Sequence, residues 1–361
     1  YISFFAVCLA FQILFFFFDF ISHYYVHYVR QFQNLGFSTW EPMAGLSVGF
    51  YYFYGTRSIP LLIICPILSE LIFKNEEIST FTLIQSEMVS TLCYISAAYI
   101  LKNLLEFDPR FRRVRDIRNY AIVAALVTLI NSSEYVLSLL FEISITPELI
   151  FPTFWRHYVG ELSGLLSTGP LILLAIYYRP WIRLSWILGL QVLCLCFLLF
   201  LIFGYPEASV FQLFYLLFLP AIWITLREGP PGAGFAILFI QIVSIVGSEY
   251  RFGSDTGRGS VQALVIALAL TTLILSAVVA EKEDAAKRLR DQESALNRAI
   301  RMKTSGETAS TIAHEINQPL TAIRTYIEVA DKAYASRDEL LVKSIFEKLK
   351  KESERVSSII Y

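Results

Sequence analysis

The feature that most limits the folds open to this chain is a series of long apolar blocks, several of them near the roughly 20 residues needed to cross about 30 Å of hydrocarbon. They run over 3–28, 43–56, 58–73, 79–104, 120–144, 158–178, 184–203, 211–226, 232–248 and 259–280. Hydrocarbon offers backbone amides no water, so a spanning chain must satisfy them inside helices or a closed barrel. Continuous runs this long predict helices. The expected fold class is all-α, with a polytopic membrane domain of about ten helices. Eight full crossings are the alternative, since 43–56 and 58–73 are short enough to be tilted, re-entrant or buried. Either even number places both ends of the membrane half on one side.

Charge decides which side. Of 361 residues, 55% are hydrophobic and 17% charged, and the net charge of -1 provides no global basic field for nucleic acid. The densest basic loop, Phe107 to Asn119, carries Arg110, Arg112, Arg113, Arg115 and Arg118, and Arg179, Arg183 and Arg227 fall on the same face if every block crosses once. Basic loops are retained in the cytoplasm, so both termini are expected there. The cysteines Cys8, Cys65, Cys93, Cys194 and Cys196 all lie in apolar blocks and read as packing groups. Tyr1 has no basic segment ahead of the first block, so the start is expected to be a trimmed one and not a secretory signal.

After Ala280 the composition turns abruptly charged, from Glu281 through Arg301, with no Pro or Gly before Gly306. Placing Ala286, Glu293 and Ile300 at heptad position a puts Leu289, Leu296 and Lys303 at d. That is a weak coiled-coil seam with charged interruptions; a solvated connector helix is the competing reading. Beyond it, Ala309, Ile312, Ile316, Leu320, Ile323, Ile327, Ala330 and Tyr334 recur at helical spacing, predicting one buried stripe. A polar turn near Ser336 to Asp338 precedes a second helix with Leu341, Ile345, Leu349, Val356 and Ile359 inward. Two such hairpins from two chains would close a four-helix bundle. The expected organisation is a membrane domain at 1–280, a helical linker at 281–303 and a hairpin at 304–361.

Ionisable groups at membrane depth are costly and are functional candidates by default. Here they are Asp19, Glu70, Glu87, Glu134 and Glu161, with Asn131 one turn from Glu134. An interhelical hydrogen bond or a snorkelling carboxylate is the competing reading, and for Glu142, near a helix end, it prevails. The expected signal pocket is lined by Trp40, Asn131, Glu134, Trp155, His157 and Glu161. His23 and His27 share a helix face but have no third ligand, so no metal is expected and an aromatic belt explains that tract.

The most informative string runs from Ala309 to Arg324 and contains His314-Glu315-Ile316-Asn317-Gln318-Pro319-Leu320. His314 is two residues, about 200°, from both Ile312 and Ile316, so its imidazole should face water. A neutral ring nitrogen is a nucleophile, and the adjacent Glu315 can hold and deprotonate the other nitrogen. Pro319 removes a backbone donor and is expected to bend the helix. A zinc motif of the His-Glu-x-x-His type is ruled out by Gln318.

This string resembles the phosphoacceptor box of the dimerisation and histidine-phosphotransfer domain of bacterial sensor histidine kinases. Residues 1–280 resemble the first class of membrane-associated sensor domains, the MASE type. That second resemblance rests on Trp40-Glu-Pro42-Met-Ala-Gly45-Leu with Gly55 and Arg57 to Pro60, on Trp155 through Gly164 to Pro170, and on Leu219-Pro220 with Arg227-Glu-Gly229-Pro. Gly45, Gly160, Ser163, Gly164 and Gly169 would let helices approach closely.

The resemblances imply a homodimeric two-component kinase in the bacterial inner membrane, surrounded by lipid. An unknown small-molecule or membrane-protein signal would control ATP-dependent phosphorylation of His314 and transfer to an aspartate on a response regulator. Many relatives carry Thr or Asn at the position of Gln318, where it orients water for dephosphorylation. No glycine-rich nucleotide motif occurs before Tyr361, so ATP with Mg is expected in a catalytic domain beyond it, with no cofactor on residues 1–361. A transporter-like protein with a regulatory tail is the alternative, against which stands the lack of an internal repeat. A receptor scaffold without enzymatic output is a third reading.

Overall fold

The computed structural model describes residues 4–28, 40–72, 79–142, 146–178, 185–204, 213–252, 257–335 and 338–360. Among these residues the chain is built of helices and forms two compact units, Tyr1–Glu283 and Asp284–Tyr361. The first unit contains α1 (Phe4–Tyr28), α2 (Pro42–Tyr54), α3 (Ile59–Ile72), α4 (Thr80–Tyr99), α5 (Val114–Glu142), α6 (Pro147–Tyr177), α7 (Trp186–Gly204) and α8 (Phe218–Phe252). A further helix, α9 (Gly257–Ala335), contributes its first part to this unit, and α10 (Glu339–Ile360) ends the chain.

Over the described residues each expected apolar block is helical, with three adjustments. The doubtful blocks 43–56 and 58–73 form α2 and α3, joined by a single 3-10 turn at Gly55–Ser58, where Gly55 takes φ +57°. Blocks 211–226 and 232–248 meet at Gly229, whose φ of +66° breaks the helical path. Phe203 crowds Gly247 and also packs in a core with Phe214 and Leu217, so both ends of this segment return to the same end of α7. Glycine permits that reversal because it carries no Cβ to clash at positive φ. Helix α6 begins at Pro147, well ahead of the expected block 158–178. Proline in the first turn costs no hydrogen bond, since that N–H would be unpaired anyway. Among the described residues, six runs are long and apolar enough to cross a membrane: Pro42–Ser69, Val114–Phe141, Pro147–Tyr177, Trp186–Gly204, Tyr215–Ser248 and Val261–Lys303.

The core of the first unit is the crossing of α2 on α6. A Cβ at Gly45 would meet Gly169 and the carbonyl of Gly164, and one at Gly164 would meet the carbonyl of Glu41. Glu41 N–H donates to the Gly160 carbonyl at 3.1 Å. The expected close approach of small residues is therefore present, with dispersion and backbone contact taking the place of hydrophobic drive between helices. On one side Tyr120 is buried and donates to the Leu165 carbonyl at 2.7 Å. There Phe107 stacks on it and Phe111 meets it edge-on, and Tyr52 donates to the Phe107 carbonyl at 2.7 Å.

In the second unit, Asp338 caps α10 by accepting from Leu341 N–H at 3.0 Å, and its own N–H donates to the Ala333 carbonyl at 3.2 Å. Ser336 and Arg337 of the expected turn lie outside the described residues. Ala333 and Ile345 are buried, and Lys348 sits 5.8 Å from the centre of the Tyr326 ring. The expected stripe is only partly covered: Ile312, Leu320 and Ile327 remain 42%, 47% and 48% exposed. A single pair of helices encloses a stripe on one side only, which accounts for the uncovered area.

Candidate functional site

Two candidate sites stand out, one in each unit. In the second, His314 is exposed on α9 and lies off the apolar stripe, as its spacing predicts. Its Nε2 is 3.2 Å from the side-chain nitrogen of Gln318, one turn further on. With the amide donating, Nε2 is the unprotonated nitrogen and the ring proton sits on Nδ1. That tautomer presents the lone pair of Nε2, the form a nucleophile requires. Glu315 is exposed beside it, and α9 continues through Pro319.

In the membrane unit, three helices converge on Glu161, which is 1% exposed. Tyr94 on α4 donates to its Oε1 at 2.8 Å, and Asn131 on α5 donates to the same oxygen at 2.6 Å. Oε2 is buried and makes no hydrogen bond. Nδ1 of His157, one turn earlier on α6, lies 3.9 Å from it. That nitrogen is also 3.1 Å from Ser132 Oγ, and the imidazole stacks on Tyr135 with ring centres 4.4 Å apart.

The structure thus brings Asn131, His157 and Glu161 together, and places the other three pocket candidates in different contacts. Glu134 accepts from Ser138 on its own helix at 2.7 Å and from Ser86 on α4 at 3.0 Å, so one oxygen is held within α5 and the other ties α4 to α5. Trp40 is buried, donates to Ser167 Oγ at 3.0 Å and packs edge-on against Phe18. Trp155 is 46% exposed and stacks on Phe151 and Tyr158. Tyr94, Ser132 and Tyr135 were not singled out by the sequence. The available signal was the phenol of Tyr94 inside an apolar helix, which needs a partner when buried. The side chains of His23, His27, Glu70 and Glu142 lie outside the described residues. Among the described residues no cluster of three His, Cys, Asp or Glu could hold a metal.

The basic loop gathers the opposite end of the helices. Arg110 lies over the Tyr177 ring at 5.8 Å, and Lys102 donates to the Tyr52 carbonyl at 2.8 Å. Burial pushes the Tyr178 phenol up, opposed by the Arg112 guanidinium beside it. The backbone N–H of Val114 donates to Glu281 Oε1 at 3.2 Å. The end of α6, the start of α5 and the charged end of the last apolar run therefore share one face.

Comparison with known proteins adds the family. Residues 9–283 match the MASE1 family model, and residues 304–361 match the model of the His Kinase A (phospho-acceptor) domain. The C4-dicarboxylate transport sensor protein DctS of Rhodobacter capsulatus is 34% identical over 84 residues, covering 23% of this chain and 13% of that relative. The chain thus matches about an eighth of that curated relative's length. No solved structure matches the chain.

Proposed function

The chain belongs to the MASE1 family and carries a His Kinase A phospho-acceptor domain, and from that premise we propose that it is the sensing and phospho-accepting part of a two-component sensor histidine kinase. The observation that carries the proposal is the exposed His314, off the apolar stripe, inside the matched phospho-acceptor segment. Its unprotonated Nε2 attacks the γ-phosphorus of ATP, the bond to ADP breaks, and the proton on Nδ1 passes to Glu315. The phosphoryl group then moves to an aspartate of a response regulator. Gln318, released from the ring, is placed to position water for dephosphorylation. Pro319 gives the helix a point at which to bend.

ATP and Mg belong to a nucleotide-binding domain other than residues 1–361. The working unit is a homodimer, supported by the half-exposed Ile312, Leu320 and Ile327 and by Leu289, Leu296 and Ile300, which are 57%, 61% and 53% exposed. A second copy covers these side chains. The protein sits in the bacterial inner membrane with both ends cytoplasmic, a placement supported by Arg110, Arg113, Arg115 and Arg118 on the face that also holds Glu281. The Glu161 cluster is the sensing site. Membranes containing the full-length protein, incubated with ATP labelled at the γ-phosphate, test the class of activity. A kinase yields an acid-labile, alkali-stable label on the protein, and a transporter or scaffold yields none.

A further inference from the structure

We infer that Glu161 and His157 form a proton site, and that the species taken up in the membrane unit is a proton held between Glu161 Oε2 and His157 Nδ1. The inference rests on reading this cluster as the sensing site. It starts from a mismatch in hydrogen bonding: Glu161 Oε1 has two donors, from α4 and α5, while the equally buried Oε2 has none. A carboxylate oxygen left without a donor away from water is costly. The group facing it is Nδ1, 3.9 Å away. In line, that gap holds a hydrogen but no heavy atom, which would need about 5.6 Å for two hydrogen bonds.

Two arrangements follow, differing by one proton. Without it, and with the ring proton of the neutral imidazole on Nε2, Nδ1 is an acceptor, the Ser132 hydroxyl at 3.1 Å donates to it, and Oε2 stays unsatisfied. With it, the proton joins Nδ1 to Oε2, the gap closes by about 1 Å to an ordinary hydrogen-bond length, and Ser132 turns away. Ser132 and Glu161 thus compete for one nitrogen. The switch pulls α5 and α6 against each other while Tyr94 keeps α4 attached. His157 is the more exposed side chain of the pair, at 21% against 1% for Glu161.

Other ionisable groups face the pair from several elements. Cys93 and Glu87 accompany Tyr94 on α4, and Glu41 precedes α2. Glu134 on α5 is occupied by Ser86 and Ser138. Where α8 meets α6 it presents the uncharged Gly234 to Leu171 and Leu174.

Infrared difference spectra of the full-length protein in lipid nanodiscs, titrated from about pH 4 to about pH 9, test this without ATP. The expected result is a carboxyl-stretch change with pH that disappears in Glu161→Gln. In Ser132→Ala the same change moves to higher pH, because the unprotonated form loses its donor. The shift is up to about one pH unit, a tenfold gain in proton affinity, the size of one lost hydrogen bond. If Glu161→Gln does not insert, Ser132→Ala decides alone. An unaltered titration in Glu161→Gln, or an unmoved one in Ser132→Ala, overturns the inference. A titrating band in a protein that takes no label from ATP would instead overturn the kinase reading and leave the proton site standing.

Discussion

Glu281 Oε1 accepts from the backbone N–H of Val114 at 3.2 Å, which ties the charged end of the last apolar run to the N-terminus of α5. The carboxylate there meets both an unpaired donor and the positive end of the helix dipole. Since Asn131 on α5 donates to Glu161 on α6, the contact links the helix that partners Glu161 to the charged end of the last apolar run. Glu281→Gln keeps the hydrogen bond and removes the charge, and Glu281→Ala removes both. An interaction of about 0.3–1 kcal/mol shifts a two-state balance by no more than about five-fold. Basal phosphorylation of the full-length protein should change by up to that factor, more for Ala than for Gln. Equal rates in all three proteins would make the contact incidental.

The α2–α6 crossing allows no side chain at Gly164 or Gly169, whose Cβ atoms would meet the Glu41 carbonyl and the Tyr120 hydroxyl. Gly164→Ala should cost about 1–3 kcal/mol through forced backbone displacement. Gly189, with open space around its Cβ position, is the control. Thermal unfolding in detergent should therefore show a lowered midpoint for Gly164→Ala and Gly169→Ala but not for Gly189→Ala. A normal midpoint for Gly164→Ala would mean that the two helices are not in backbone contact.

Helix α9 spans Gly257–Ala335, and a helix turns about 100° per residue. Inserting one residue near Asn297 should rotate His314 out of phase with the membrane half and fix the kinase on or off. Inserting seven should nearly restore the phase and the response to signal. Phosphorylation measured across one to seven inserted residues checks this; indifference to length would make 281–303 a flexible tether.

The helices were legible because each block is long, apolar and bounded by charge or glycine, and His314 because both its spacing and its neighbours agree. The early start of α6 was hidden, since Pro147 and Pro152 read as loop residues while Pro147 occupies the tolerated first turn. Of the pocket candidates, Asn131, His157 and Glu161 came together, because residues one or two turns apart on α5 and α6 meet where those helices pack. Glu134 is one turn from Asn131, yet it is held by Ser138 on its own helix and by Ser86 on α4, and the Ser86 contact between helices is one that spacing along one helix does not reveal. Tyr94, from a third helix, was beyond reach for the same reason.

The adjoining residues on α9 separate two roles. Glu315→Ala should slow phosphorylation of His314 by about 100-fold or more, the usual scale for losing a general base. Gln318→Ala frees Nε2 from its 3.2 Å neighbour and should slow it far less, while impairing dephosphorylation of the response regulator. Rates of label gain on the kinase and loss from the regulator distinguish the two; a near-normal rate for Glu315→Ala would reduce that residue to a solvated helix position.

The central claim, that His314 accepts the phosphoryl group, is tested most directly by comparing the full-length protein with its His314→Gln variant in membranes supplied with γ-labelled ATP. His314 is exposed and off the stripe, so the variant should insert and dimerise as before. The account predicts an acid-labile label on the wild type and none on the variant; a label of equal strength on His314→Gln would contradict it.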